Sequence, residues 1–87
     1  MTDRIEYLQS VVGEDIPKLS STAKKRVRRA SEKKLTTHPI EFGKPFRYSL
    51  QGARRLRVGD YRVIYQIESP GTVLILKIGN RREVYED

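Results

Sequence analysis

The chain has no cysteine, no tryptophan and a single histidine. Without cysteine there is neither a disulfide framework nor a thiolate metal site, which fits a reducing compartment. One histidine and no clustered carboxylates argue against metal binding of any kind. No apolar run approaches the roughly 20 residues that a spanning helix needs. The opening MTDRIEYLQS carries no apolar signal core behind a basic end. Together these absences predict a cytoplasmic chain with no membrane partner and no cofactor. There is no glycine-rich phosphate loop, since Gly59-Asp60-Tyr61 and Gly79-Asn80-Arg81 are single-glycine turns, and nothing recommends any one serine as a nucleophile. The scarce charge is negative: 11 acids face 18 Lys and Arg, for a net charge of +7 and a pI of about 10.0. A charge that large on 87 residues favours a polyanion or an acidic partner.

A chain of this length is one domain, 1–87, with only a modest core. Its basic residues fall in two blocks. Lys18 to Lys34 holds Lys18, Lys24, Lys25, Arg26, Arg28, Arg29, Lys33 and Lys34 against Glu32 alone; Lys44 to Arg62 holds Lys44, Arg47, Arg54, Arg55, Arg57 and Arg62 against Asp60 alone. The apolar residues are regularly spaced, which excludes a disordered basic tail. Arg4 to Val12 reads as a first strand, and Gly13 to Leu19 as a short helix or turn containing Pro17. Ser20 to Leu35 reads as the best helix, capped by Ser20 or Ser21, with Leu19, Ala23, Val27 and Ala30 forming a narrow apolar stripe. Thr36-Thr37-His38-Pro39 ends it, and His38 reads as a partner of the helix dipole rather than a base. Ile40 to Pro45 reads as a loop and Phe46 to Leu50 as a second strand. Thr72 to Ile78 reads as a strand buried on both faces, broken at Gly79-Asn80 and followed by a short extension from Arg81 to Tyr85. This order predicts an α+β domain of two layers, with an N-terminal strand and one or two helices packed on an antiparallel-rich sheet of four to five strands.

Ala53 to Glu68, ARRLRVGDYRVIYQIE, organises the rest. Glycine at the first central position of a two-residue loop suits a type II′ turn. With Gly59 and Asp60 as the loop, Val58 opposes Tyr61, Arg57 opposes Arg62, Leu56 opposes Val63 and Arg55 opposes Ile64. Alternation then puts Leu56, Val58, Tyr61, Val63, Tyr65 and Ile67 on a core face and Arg55, Arg57 and Arg62 on the other. Like charges opposed across a hairpin destabilise it, so this face is expected to hold an anion; guanidinium forks suit phosphate. A plain solvated sheet face is the competing reading. Arg81, Arg82 and Tyr85 form a second cluster in which the tyrosine either stacks on a base or packs on the core. The basic helix is either a solvated face or a nucleic-acid contact.

The runs RRLRVGDYRVIYQI and VLILKIGNRREVY resemble the RelE/ParE toxin superfamily of bacterial and archaeal toxin–antitoxin systems. HPIEFGKPFRYSLQG and AKKRVRRASEKKL look like that family's segment before the hairpin and its basic helix, so the resemblance covers most of the chain. It implies a RelE-like fold and a metal-independent endoribonuclease that enters the ribosomal A site and cuts messenger RNA. The 2′-hydroxyl attacks the adjacent phosphate, which requires a base, positive charge on the pentavalent phosphate and an acid for the leaving oxygen. By this resemblance Arg55, Arg57, Arg62, Arg81 and Tyr85 are the catalytic positions: Arg55 and Arg57 near the nucleophile, Arg62 clamping the phosphate, Arg81 stabilising the transition state, Tyr85 orienting the base. Lys44, Arg47, Arg54, Arg82, Lys24, Lys25 and Arg28 are the expected RNA contacts. The implied partners are a cognate antitoxin and the ribosome with its message. The superfamily also permits a ParE-type inhibitor of DNA gyrase, or a weakened toxin fold kept as a binding module. Two positions depart from the pattern. Arg55 stands where the best-known nucleases have Lys, and Asn80 where related members often have His. Arginine is a poor general base, so either Glu41 or Glu83 supplies one, or cleavage rests on orientation and charge, or activity is weak.

Overall fold

A computed structural model describes residues 4–38, 44–45, 52–69, 71–82 and 84. Its elements are β1 (Arg4–Tyr7), a π-helical turn (Val11–Asp15), a 3₁₀ turn (Ile16–Lys18), α1 (Ser21–Leu35), β2 (Lys44–Pro45), β3 (Arg54–Val58), β4 (Tyr61–Ser69) and β5 (Thr72–Asn80). The strands form one sheet in the order β1-β5-β4-β3-β2, antiparallel except for the β1–β5 pair. The helical segments cover one face, giving the two-layer α+β arrangement expected.

The β3–β4 hairpin has the register anticipated: Val58 pairs with Tyr61, Arg57 with Arg62, Leu56 with Val63 and Arg55 with Ile64. Gly59 has φ +60, and among the described residues no non-glycine residue has positive φ, as a type II′ turn requires. Leu56, Val58, Val63 and Tyr65 enter one core with Val73, Ile75 and Ile78 of β5, Val11, and Val27 and Leu35 of α1. Ser20 caps α1, its hydroxyl accepting from the Ala23 N–H at 3.1 Å. The buried stripe is Ala23, Val27, Ser31 and Leu35; Leu19 and Ala30 pack against the core from its edges.

Four local expectations change. The first strand stops at Tyr7 because the chain winds up: Leu8 O accepts from the N–H groups of Val11 and Val12 at 3.0 and 3.2 Å. Val11 is thereby buried completely while Val12 stays outside. Past the end of β1, the β5 edge would leave the Ile78 N–H without a strand; the Asp15 carboxylate accepts it at 3.0 Å. Second, β5 is not broken at Gly79-Asn80 but continues through them, pairing Gly79 with Arg62 and Asn80 with Tyr61. Third, residues 81 and 82 form a turn rather than a strand extension. Fourth, Lys44 and Pro45 are not loop but an edge strand against Arg55 and Arg54. The expected strand over 46–50 lies outside the described residues. Val73, Ile75 and Ile78 of β5 are buried and face one core, while Leu76 joins a second cluster on the opposite face with Ala53, Ile64 and Val84. A register shift opposite Ile64 and Tyr65 makes this possible.

Burial pushes the Tyr65 hydroxyl up to about 12 from the usual 10.0, and the nearby Arg54 charge offsets part of the rise. The folded chain therefore keeps a proton that the unfolded chain releases above pH 10, so stability is lost as pH climbs from 10 towards 12. Urea midpoints measured across that window should fall for the wild type and fall less for Tyr65→Phe. Equal slopes would show that this hydroxyl does not set the alkaline limit.

Candidate functional site

Alternation along the hairpin separates the arginines as anticipated, but their environments differ. Arg55 and Arg62 are only 6% and 5% exposed, under an outer face that also carries the Ala53, Ile64 and Val84 cluster. Arg62 Nη1 donates to the carbonyls of Gly59 and Tyr61, each at 2.9 Å. A guanidinium spent on two turn carbonyls braces the hairpin, and its charge reaches a ligand only through its remaining nitrogens. Arg57 is exposed. Arg54 alternates onto the side of Leu56 and Val58, half-buried and paired in register with Tyr65.

Arg57 lines a groove of about 610 Å³ between the end of β3 and one flank of α1. Lys25, Arg26, Arg29, Lys33 and Lys34 line the rest of its charged surface, giving six cations and, among the described residues, no carboxylate. The helix makes this one-sided wall because positions 26, 29, 30 and 33 recur at three- and four-residue steps beside the buried stripe. Of the helix residues named from sequence, only Lys25 belongs to it. Lys24 and Arg28 project from the other flank, around a smaller recess of about 280 Å³ lined also by Tyr7, Ile16, Leu19 and Ile78. Arg28 pairs with Glu32 at 3.0 Å, and Glu32 also borders Lys25, Arg29 and Lys33. Burial raises the Tyr7 hydroxyl, with Glu32 adding to the rise and Arg28 opposing it. Arg26, Arg29, Lys33 and Lys34 of the groove are not among the residues singled out from sequence; their helical spacing was legible, but not which flank meets the hairpin.

The groove is joined to the hairpin through Gly59. A Cβ built there would lie 2.6 Å from Arg26 Nη2, so the guanidinium rests directly on the turn. Gly59→Ala combines that displacement with a φ of +60 that L residues avoid. It should cost about 1–2 kcal/mol by urea unfolding and shift the Arg26 side-chain NMR signals. Unchanged stability and unchanged Arg26 signals would remove the contact.

Arg81 and Arg82 are exposed and share a third recess, of about 410 Å³, with Asp60 and Asn80. Backbone bonds fix it. The Arg81 N–H donates to Asp60 O at 2.8 Å, and the Val84 N–H to Asn80 O at 3.0 Å. The Arg82 N–H donates to Asn80 Oδ1 at 3.0 Å. Thus the hairpin tip and the end of β5 bring a carboxylate, an amide and two guanidiniums to one place. Asp60 was not singled out from sequence, since it reads there as a turn residue. Lys44 is placed by its backbone alone, opposite Arg55. Arg47, Tyr85, Glu41 and Glu83 lie outside the described residues. Among the described residues no helix is long and apolar enough to cross a membrane.

Residues 8–85 match the family described as the ParE toxin of the type II toxin–antitoxin system, parDE. Toxin RelG of Mycobacterium tuberculosis is 38% identical over 52 residues, 59% of this chain; the match thus spans 60% of that curated relative's length. A chain of the toxin–antitoxin complex RelBE2 from the same organism superposes with a TM-score of 0.83 at 28% identity, covering 93% of this chain and 100% of that one. A chain of the archaeal RelE–RelB complex from Pyrococcus horikoshii does so with a TM-score of 0.73 at 26% identity, covering 97% and 100%. On the match over 8–85 and this shared fold, the chain belongs to the ParE toxin family, within the RelE/ParE superfamily of type II toxin–antitoxin toxins.

Proposed function

We propose that this chain is a toxin that cuts messenger RNA on the ribosome by attack of a 2′-hydroxyl on the neighbouring phosphate, and that an antitoxin restrains it. The observation that carries this reading is the concentration of positive charge: six cations along the α1 groove, continuous through the Gly59–Arg26 contact with the hairpin whose tip meets Arg81 and Arg82. Such a surface follows a phosphate backbone, and binding of that kind weakens steeply with salt.

Arg81 is the group suited to the pentavalent phosphate, since an exposed guanidinium held by its backbone to Asp60 O is fixed at its root and open at its head. Arg62 is a positioning residue that holds the turn. Arg55 adds a buried positive charge to the same hairpin, and Tyr85 is the proposed base-stacking residue. No arginine here supplies a base at neutral pH, so the chemistry rests on orientation and charge stabilisation, with Glu41 or Glu83 as the candidate bases. The antitoxin is expected to be acidic or amphipathic and to cover the groove, because neutralising a net charge of +7 stabilises both partners.

Primer extension on messages from cells expressing the wild type tests this. Cuts inside translated codons are expected, with free RNA left intact by the purified chain. Growth arrest with intact messages would replace the nuclease by a protein target such as DNA gyrase. Neither arrest nor cuts would leave a binding module.

A further inference from the structure

We infer that the recess lined by Asp60, Asn80, Arg81 and Arg82 is a base-reading site selective for guanine. The inference rests on the proposed action on RNA, and it adds what that action selects. The four residues line one space, ample for a nucleobase, and three backbone-anchored bonds hold its walls. Arg81 N–H is bound to Asp60 O at 2.8 Å and Val84 N–H to Asn80 O at 3.0 Å. Asn80 Oδ1 accepts from the Arg82 N–H at 3.0 Å, which ties the amide to the turn. Asp60 lies in the hairpin turn just before Tyr61, and Arg81 and Arg82 lie in the turn just after Asn80; the Tyr61–Asn80 cross-strand pair joins the two turns at their roots.

The chemistry of these groups is complementary to one base. A carboxylate carries acceptors only and takes two adjacent donors together; a guanidinium fork donates to two adjacent acceptors. Guanine is the base that offers both, N1–H with N2–H on one edge and O6 with N7 on the other. Asp60 takes the first pair and Arg82 the second, with Arg81 left for the phosphate. Adenine would set its N1 lone pair against Asp60. Uracil would set a carbonyl on each side of its one N–H. Cytosine offers Asp60 its N4 amino group alone. Unstacked bases of single-stranded RNA are read on these edges.

The test is an NMR titration of the ¹⁵N-labelled full chain with guanosine, adenosine, cytidine, uridine and inosine 5′-monophosphates, observing the Asn80 side-chain amide and the Arg81 and Arg82 backbone amides. All five ligands carry the same phosphate. Guanosine monophosphate should give saturable shifts there, with affinity about ten- to hundredfold above the other three standard nucleotides. Inosine monophosphate, which lacks N2, should fall between. Asp60→Asn should erase most of the preference, while Tyr61 and Arg62 amide shifts report that the hairpin persists; asparagine suits that turn position. Equal responses to all nucleotides would reduce the recess to a phosphate contact and overturn the inference. So would no response at these amides, or a guanine preference surviving in Asp60→Asn. In an RNA-cleavage assay, loss of rate at every codon with base preference unchanged would make Asp60 a base and overturn it likewise. A chain that discriminates guanine but cuts no RNA would overturn the nuclease reading and leave this one standing.

Discussion

Arg81→Ala is expected to lower messenger cleavage by about 10²–10³-fold, the usual loss when one donor to a developing oxyanion is removed. The substitution isolates charge from fold. Arg81 is exposed, and the bond that ties it to the hairpin tip is made by its backbone N–H to Asp60 O, which alanine keeps. Negative charge accumulates on the phosphate as the 2′-oxygen attacks, and the guanidinium opposes it more strongly there than in the ground state. The loss should therefore fall on the single-turnover rate, while binding of the ribosome-bound message weakens far less, because the six cations of the α1 groove remain. Arg81→Lys should recover part of the rate, since it restores the charge without the bidentate fork. The measurement is single-turnover cleavage of a message on programmed ribosomes. A rate within threefold of the wild type for Arg81→Ala would remove Arg81 from the site and return attention to the buried Arg55 and Arg62.

Tyr65→Ala is expected to cost about 3–5 kcal/mol, in line with the removal of other large buried rings. A domain of 87 residues has about 4–13 kcal/mol in total, so the loss takes a large share of that stability and at the low end of the range unfolds much of the population. Tyr65 has no exposed surface and lies on β4, the strand at the centre of the sheet. It packs in the cluster that joins α1, the hairpin and β5. The cavity would open beneath the element that carries Arg62 and the Gly59-Asp60 turn, so activity should be lost along with stability. Urea unfolding followed by circular dichroism reads the first effect. A loss under 1 kcal/mol would mean that the neighbouring side chains close the space. Tyr65→Phe keeps the ring and should retain most of the stability at neutral pH, which separates ring packing from the alkaline effect of the hydroxyl.

What could be read from the sequence was local or periodic. Gly59 in a two-residue loop and period-two alternation were enough for the hairpin register, because a one-residue slip would move every apolar side chain off the core face. Ser20 was enough for the helix start, because a hydroxyl there satisfies an amide that has no other partner. The excess of positive charge and the stripe along α1 were equally plain. Where the reading strayed, distant groups decided. Leu8 to Val12 suits a strand or a helical turn, and the closure of the core over Val11 selected the turn. Gly79 looked like a break, yet β4 supplies it with a strand partner in Arg62. Equally, alternation could place Arg55 and Arg62 on the outer face but could not say that Val84 and Ala53 share that face, nor that Arg62 turns back onto its own turn. The flank of α1 that faces β3, and the meeting of Asp60 with Arg81, depend on contacts between residues far apart in the chain. The sequence by itself therefore determined the long helix, the hairpin with its register and the sign of the charge. Only the tertiary structure decided which charges line a groove, which are buried and which share a recess, because burial and juxtaposition belong to the packed layers and not to any one segment.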